Sequence, residues 1–477
     1  MALVAATVLA SLVAFVDANL VNVAVPAITR ELHTGVAEIQ WIVTGYLVTV
    51  AAFLLVAGAL ADHFGRKRIL IVGLVIMVLA SIGCAVAPTS AALIAARLVQ
   101  GVGGALVVPC SLALLNGSLR PADRARGIGI WAGISTLGTT LGPYGGGWLV
   151  DHASWRYVFL LNVPLIAAAL LVLWRVREVR ASKRPLSLDV VGAGLAVVGI
   201  AGVIYALTAA PADGWASARV LAPGLVGLAC LVALPFAETR QRVPMLRVAL
   251  FRSPQFSAIN VSTILLYGAL SAAGYLVVLY CQFRLGYSAT AAGAALIPES
   301  LVFLIVSPFV GGWVARLGAR WPMTIGILIV AGALAWLSAA QPGQSYAQAI
   351  LPGALLWGLG IGLTVAPLTA GVLAAVDDAD LGEASAINDA TSRVGGVVVI
   401  ALVPALIGAG GARSLAGPLS ERYPVAMLVL AGLCVAAALV GALFVSSRPV
   451  PMQRMPAASP RVHSCAAVEP AEPVAAR

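Results

Sequence analysis

The sequence predicts an all-α polytopic membrane protein of fourteen transmembrane helices, arranged as two six-helix bundles with two extra helices between them. Three observations carry this. Hydrophobic residues make up 61% of the 477 residues and charged residues only 10%, with a mean hydropathy of +1.00; soluble domains average about 25% charged, so a soluble fold of this size could not cover itself. Fourteen apolar segments follow one another, each near the ~20 residues a bilayer-spanning helix needs. The basic residues gather in alternate connections between those segments.

In chain order the spans are expected at about 2–28, 41–61, 69–87, 90–116, 127–150, 157–174, 189–209, 220–236, 256–280, 290–314, 322–340, 348–372, 384–408 and 424–446. The first lacks a basic n-region and is too long for the apolar core of a signal peptide, so it reads as an uncleaved span. The connections after spans two, four, six, eight and ten, with the C-terminal tail, hold 21 basic residues, among them Arg66, Lys67, Arg68, Arg120, Lys183 and Arg320. The opposite side holds six: Arg30, Arg156, Arg219, Arg284, Arg413 and Arg422. By the positive-inside rule both termini are expected in the cytoplasm. The connection after span twelve is acidic (Asp377, Asp378, Asp380, Glu383), but acidic residues count little in this rule.

The expected organisation is therefore a first bundle over 1–176, two extra helices with flanking loops over 177–255, a second bundle over 256–446 and a disordered Pro- and Ala-rich tail over 447–477. The loops are too short to contain a soluble domain, so function lies in the membrane.

Several function classes are excluded. The net charge of +10 would suggest nucleic acid in a soluble chain, but here the basic residues lie between apolar runs and set topology. Gly-Lys occurs nowhere, so no phosphate-binding P-loop exists and a nucleotide-driven pump is ruled out. There is no HExxH, the four histidines fall in loops or the tail, and the six cysteines show no CxxC-type spacing. No catalytic residue, metal site or cofactor is expected. Secondary transport remains.

An internal repeat supports it. Gly58-Ala-Leu-Ala-Asp62-His-Phe-Gly65-Arg66-Lys67-Arg68 joins spans two and three, and a degraded copy, Gly311-Gly-Trp-Val-Ala315-Arg316-Leu-Gly318-Ala-Arg320, joins spans ten and eleven. Duplicated halves are a mark of secondary transporters. The glycines would let helices approach, and Asp62 would cap a helix and pair with an arginine, forming a conformational switch loop between the halves.

The 58–70 stretch resembles the signature loop of the major facilitator superfamily. Three further stretches resemble its 14-span drug:proton antiporter branch, the EmrB/QacA type. They are Asp17-Ala-Asn-Leu-Val-Asn22-Val-Ala-Val-Pro26 in span one, Arg97-Leu-Val-Gln100-Gly101-Val-Gly103-Gly104 in span four, and Gly138-Thr-Thr-Leu-Gly142-Pro143-Tyr-Gly145-Gly146-Gly147 in span five. Weaker matches at 155–164 and 382–396 extend the likeness over nearly the whole chain. Departures are Gly145, where the family usually has a large aliphatic residue, Ala315 in place of an acid, Glu299 and Asp389. The resemblance implies alternating access, proton coupling linked to Arg97, and an antiport motif at Gly138, Gly142, Pro143 and Gly146.

Ionisable groups inside spans cost ~2.5–3.5 kcal/mol each on the insertion scale and are candidates by default. Asp17, mid-span, reads either as a carboxylate that alternates between a proton and a cationic substrate or as an acid neutralised by a structural hydrogen bond. Asn22 is a nearby polar group that need not share its face. Arg97 needs an acid or carbonyls if buried, or else snorkels to the outer interface; Gln100 shares its face. The glycines of span five read as an antiport device or as plain helix packing with a kink at Pro143. Glu299, after Pro298 and nine or ten residues into span ten, reads as a second acid facing the central cavity or as part of a structural pair. Asp389 and Arg393 have the spacing of a helical ion pair, structural first and coupling second.

The expected function is proton-coupled efflux of lipophilic, cationic drugs or antibiotics by alternating access. The alternative is an importer or facilitator of a small metabolite. Expected partners are such molecules, protons and the lipid bilayer, with no nucleic acid; no feature indicates an adaptor protein. The abundance of Ala and of Arg over Lys leans toward a bacterial inner membrane.

Overall fold

The computed structural model describes residues 2–119, 131, 138–139, 141–176, 189–241, 247–377, 380–409 and 415–447, and among them there is no strand. Thirteen segments of the described residues are long and apolar enough to cross a membrane. The fourteenth expected span, 127–150, is described only at Trp131, at 138–139 and from 141 onward, so thirteen is the number these residues support. The loops around Arg120 and Lys183, Asp378, and the tail beyond 447 also lie outside them.

The first group of helices is α1 (Ala2–Leu32), α2 (Val36–Phe64), α3 (Arg66–Ala85), α4 (Ser90–Ser118), the described stretches of α5 (138–139 and 141–152), α6 (Arg156–Leu160) and α7 (Asn162–Trp174). An added pair follows, α8 (Val190–Asp213) and α9 (Ala218–Glu238). After a short 3₁₀ turn (Val248–Arg252) come α10 (Pro254–Phe283), α11 (Ala289–Ala294), α12 (Ile297–Leu317) and α13 (Arg320–Ser338). Then follow α14 (Tyr346–Ala349), α15 (Leu351–Leu373), α16 (Leu381–Leu406) and α17 (Ala416–Phe444).

Local chemistry sets the ends. The α4 start is capped by the Thr89 hydroxyl, which accepts from the Ala92 amide at 3.3 Å, and α8 by Asp189, which accepts from the Gly192 amide at 2.7 Å. Such caps satisfy amides that a helix start leaves unpaired. At the two copies of the repeated loop, Gly65 and Gly318 take positive φ of 102° and 74°, a conformation that favours glycine and lets one helix turn into the next. The duplication seen in the sequence is thus also a duplication of backbone geometry.

The glycines of α5 explain how closely it packs. A Cβ on Gly138, Gly142 or Gly146 would run into Leu12, Val16 or Leu20 of α1, a ridge with the same four-residue step. In lipid, where apolar surface gains little by leaving the tails, such close backbone approach is what joins helices. The next glycine works between the two halves. A Cβ on Gly147 would strike the Ala289 carbonyl of α11, and one on Gly293 would strike the Pro143 carbonyl. Alongside, the Asp151 carboxylate accepts from the amides of Ala289 (3.1 Å) and Thr290 (2.8 Å) and from the Thr290 hydroxyl (2.6 Å). Gln40 of α2 adds a 2.6 Å donation to the Ile400 carbonyl of α16. All of these ties lie at the end opposite the basic loops.

Toward the basic loops the picture differs. Arg66 donates to the Ala113 carbonyl at 2.9 Å and Lys67 to the Val176 carbonyl at 2.5 Å, both inside the first group of helices. A Cβ on Gly58 or Gly311 would meet nothing within 4 Å. The close helix approach expected at Gly58 is therefore not made in this structure: among the described residues, nothing lies against the face of α2 that Gly58 presents, although Ala57 and Ala61 beside it are buried. The side chain of Asp62 lies outside the described residues.

Two expected outcomes follow from the tie opposite the basic loops. Gly147→Ala forces the halves apart and costs ~1–3 kcal/mol of stability, whereas Gly145→Ala, which meets nothing, does not. With native cysteines replaced, a cysteine at Ile400 should label faster with an impermeant maleimide in Gly147→Ala only. Equal labelling in both would refute the tie. Partial burial pushes the Asp151 carboxyl up, but hydrogen bonds from Thr290, Ala289 and Ser288 outweigh it and hold the group below its usual 3.8. Its depressed pKa makes the tie fully present above that value and lost only as pH falls below it; labelling at Ile400 should therefore be flat from about pH 5 to 8.

Candidate functional site

Five helices bring polar side chains to one point halfway along α1. Asp17 and Arg97 are buried, 1% and 0% exposed, and Arg97 Nη1 meets Asp17 Oδ2 at 2.6 Å. Gln100 Nε2 donates to Asp17 Oδ1 at 2.8 Å and to Ser81 Oγ at 2.9 Å, while Gln100 Oε1 accepts from Arg97 Nη1 at 2.7 Å. From α7, Asn162 Nδ2 donates to Asp17 Oδ1 at 2.7 Å. Arg97 Nε donates to the Ile42 carbonyl at 3.1 Å, and the guanidinium carbon sits 4.7 Å from the Tyr46 ring centre.

This arrangement answers the cost of burying charge. Each ion has an opposite partner, and the carboxylate accepts three hydrogen bonds, which is what a buried pair needs to offset desolvation. The snorkelling alternative for Arg97 is overturned, since its guanidinium turns inward to Asp17. The site keeps two buried atoms without a hydrogen-bond partner, Arg97 Nη2 and Asn162 Oδ1.

Of the residues expected from sequence, Asp17, Arg97 and Gln100 come together. Asn22 does not join them; it is 9% exposed and its Oδ1 has no hydrogen-bond partner among the described residues. Asn162, Ser81 and Tyr46 were not foreseen as members. The signal available for Asn162 and Ser81 was a polar residue inside an apolar run, a weak one because small hydroxyls and amides are common there.

Glu299 corrects another expectation. Span ten is not one helix: α11 ends at Ala294 and α12 begins at Ile297, which puts Glu299 in the first turn of α12. An acid is stabilised there by unpaired amides and the helix dipole. It accepts from Ser300 Oγ at 2.8 Å and has no ion pair among the described residues, so the structural pair with an arginine is not seen. It stands apart from Asp17.

In the second group, Asp389 and Arg393 form the expected helical ion pair at 3.2 Å. Arg393 also lies 5.8 Å from the ring of Phe15, two residues before Asp17, and so reaches across between the halves. Beside it is a cavity of about 190 Å³ lined by Tyr267, Thr369, Ser385, Asn388, Asp389 and Ser392. Asn388 donates to Thr263 Oγ1 at 2.9 Å. No group of His, Cys, Asp and Glu among the described residues could hold a metal ion.

Residues 7–400 match the family described as Major Facilitator Superfamily. The chain is 33% identical over 423 residues to "Multidrug resistance protein Stp" of Mycobacterium tuberculosis (strain CDC 1551 / Oshkosh), covering 88% of this chain and 78% of that protein. It is 32% identical over 398 residues to the "Tetracenomycin C resistance and export protein" of Streptomyces glaucescens, with 82% and 73% covered. With the "Methylenomycin A resistance protein" of Bacillus subtilis (strain 168) it shares 33% over 399 residues, 83% and 85% of the two chains. Among solved structures, the inward open conformation of the xylose transporter XylE from E. coli superposes with a TM-score of 0.61 at 15% identity, covering 93% and 95%. The transporter PepTSo gives 0.66 at 16% identity, covering 93% and 96%.

The network makes a stability prediction. Asp17→Asn leaves the Arg97 charge buried and unpaired and should cost ~3–5 kcal/mol. Asp17→Asn with Arg97→Gln should recover part of that loss. Thermal unfolding in one detergent measures both; a double variant no more stable than the single one would contradict the pairing.

Proposed function

The chain belongs to the major facilitator superfamily, and from that premise we propose that it is a proton-coupled efflux transporter for lipophilic drugs or antibiotics, of the 14-span drug:proton antiporter branch. It is a multi-pass membrane transporter, not an enzyme, with resistance transporters among its relatives. We place it in a bacterial cell membrane with both termini in the cytoplasm, on the distribution of basic residues.

The observation that carries the reading is the enclosed Asp17–Arg97 pair. A carboxylate held by a cation and two amides deep in a helix bundle can exchange its partners for a proton. Once Asp17 is neutral, the attraction that draws α1 to α4 is gone, and the network can take its other arrangement. Because Asp17 is closed off by Gln100, Asn162 and Arg97, cargo acts on it through helix position rather than by touching it. That modifies the simpler scheme in which proton and cation share one carboxylate.

Alternating access supplies the rest of the cycle. Ties at Gly147, Gly293, Asp151 and Gln40 join the halves at the end opposite the basic loops, while a Cβ on Gly58 or Gly311 would meet nothing within 4 Å. These contacts support reading the structure as a state open to the cytoplasm. Cargo enters between the halves, where Asn388, Asp389 and Ser392 offer polar contacts, as Asp17 gives up its proton. The halves rock, a proton from outside neutralises Asp17, and cargo leaves outward. Each net charge crossing adds about 2.3 kcal/mol per 100 mV.

In proteoliposomes with an imposed pH gradient, wild-type protein should drive uptake or release of a fluorescent lipophilic cation. Asp17→Asn should abolish the gradient-driven part while leaving gradient-free exchange of the same probe. Undiminished gradient-driven transport in Asp17→Asn would sink the coupling role. Movement of a metabolite that ignores the pH gradient would favour the importer or facilitator.

A further inference from the structure

The polar cavity of about 190 Å³ beside Asp389 is walled by α10, α15 and α16, where α15 ends and α16 begins. Its chemistry follows from which hydrogens its side chains have already spent. A main-chain carbonyl only accepts, so a hydroxyl or amide held against one must be the donor. Thr369 Oγ1 donates to the Val365 carbonyl at 3.0 Å, and Ser392 Oγ to the Asp389 carbonyl at 2.7 Å. Each hydroxyl has one hydrogen, so both show the cavity lone pairs only.

Asn388 is fixed by the same reasoning, one step further on. Asn260 Nδ2 donates to the Phe256 carbonyl at 2.8 Å, which leaves its Oδ1 as an acceptor, and Thr263 Oγ1 spends its hydrogen on the Ile259 carbonyl at 2.8 Å. Both therefore need a donor. Asn388 supplies it from one end: its Nδ2 lies 3.2 Å from Asn260 Oδ1 and 2.9 Å from Thr263 Oγ1. An amide turned the other way would set oxygen against oxygen. The Asn388 carbonyl oxygen is thus the end left to the cavity. Asp389 adds a carboxylate, acceptor-only when ionised, whose charge Arg393 of the same helix answers at 3.2 Å. Four of the six polar side chains in the described lining therefore only accept. The other two, Tyr267 and Ser385, have hydroxyls that do either.

We propose that this cavity selects cargo by its hydrogen-bond donors: it takes a hydroxyl- or N–H-bearing head group and rejects a fully alkylated cation or an acceptor-only head of similar size. At about 190 Å³ it falls short of the roughly 300–1,000 Å³ of a site for a whole drug-like molecule. Only the head is housed, and the apolar remainder lies in the gap between the halves, which Arg393 spans to come within 5.8 Å of the Phe15 ring. A head without donors would strip water from four acceptors and return no hydrogen to them. Sites of this kind reject an analogue lacking the donor far more strongly than they sense a change of bulk. Charge alone does not qualify a molecule, since the carboxylate is already paired. The inference narrows the cargo class of the efflux reading, and it rests on that reading for calling the bound molecule cargo.

The test titrates the full chain in phosphatidylcholine nanodiscs with two matched pairs of dansyl-labelled probes, read by fluorescence anisotropy with protein-free nanodiscs as the blank. One pair is an alkyl ammonium and its N,N,N-trimethyl form, equal in charge. The other is an alkyl triol and its tri-O-methyl ether, both uncharged. The donor-bearing member of each pair should bind at least about tenfold tighter. Thr369→Val/Ser392→Ala removes two acceptors whose hydrogens reach only their own helices, and should cut that preference at least about threefold. Ser385→Trp fills the cavity from an exposed position and should abolish it. Equal affinity within the pairs, or a preference that survives Ser385→Trp, overturns the site. If the double variant does not fold, the wild-type pairs and Ser385→Trp decide. Donor preference without pH-driven transport of the favoured probes would leave the site and remove the efflux reading; pH-driven transport of both members of each pair alike would do the reverse.

Discussion

A charge in the middle of a membrane protein must be answered, and the first half of this chain is arranged around one such answer. The guanidinium of Arg97 is fully buried, and Asp17, Gln100, Ile42 and the face of Tyr46 converge on it. The helices that supply them, α1, α2 and α4, with Ser81 of α3 and Asn162 of α7 behind the carboxylate, are thereby held to one register. Neutralising a single atom pair would release several helices at once.

The second constraint is steric. Lipid provides little drive for apolar surfaces to meet, so close contact depends on absent side chains. Gly138, Gly142 and Gly146 fit α5 to the ridge of α1 that also carries Asp17, while Gly147 and Gly293 let α5 and α11 touch backbone to backbone. One short segment thus links the charge network to the closure between halves.

Much of this was legible in the sequence, for physical reasons. Hydropathy and loop charge reveal spans because a bilayer tolerates little else, and the duplicated loop at Gly58 and Gly311 betrayed two related halves. Asp17 and Arg97 stood out because buried charge is rare. Less visible were the break before Glu299, where Pro298 was the single sign in an apolar run that α12 starts afresh, and the parts played by Asn162, Ser81, Gly293 and Asp151, whose types are ordinary and whose partners lie far away in the chain. Gly58 misled, since a glycine permits close approach without requiring it in every state.

By itself, then, the sequence determined that this chain is helical, membrane-spanning and duplicated, and that two opposite charges sit in its first and fourth spans. Those properties follow from transfer free energy, which depends on local composition. Only the tertiary structure decided that the two charges meet, that Glu299 stands at a helix start, and that the halves are tied at the end opposite the basic loops. The meetings of charges and of halves depend on which helix faces run together across 80 to 360 residues of chain, a matter of packing geometry that no local property of the sequence encodes.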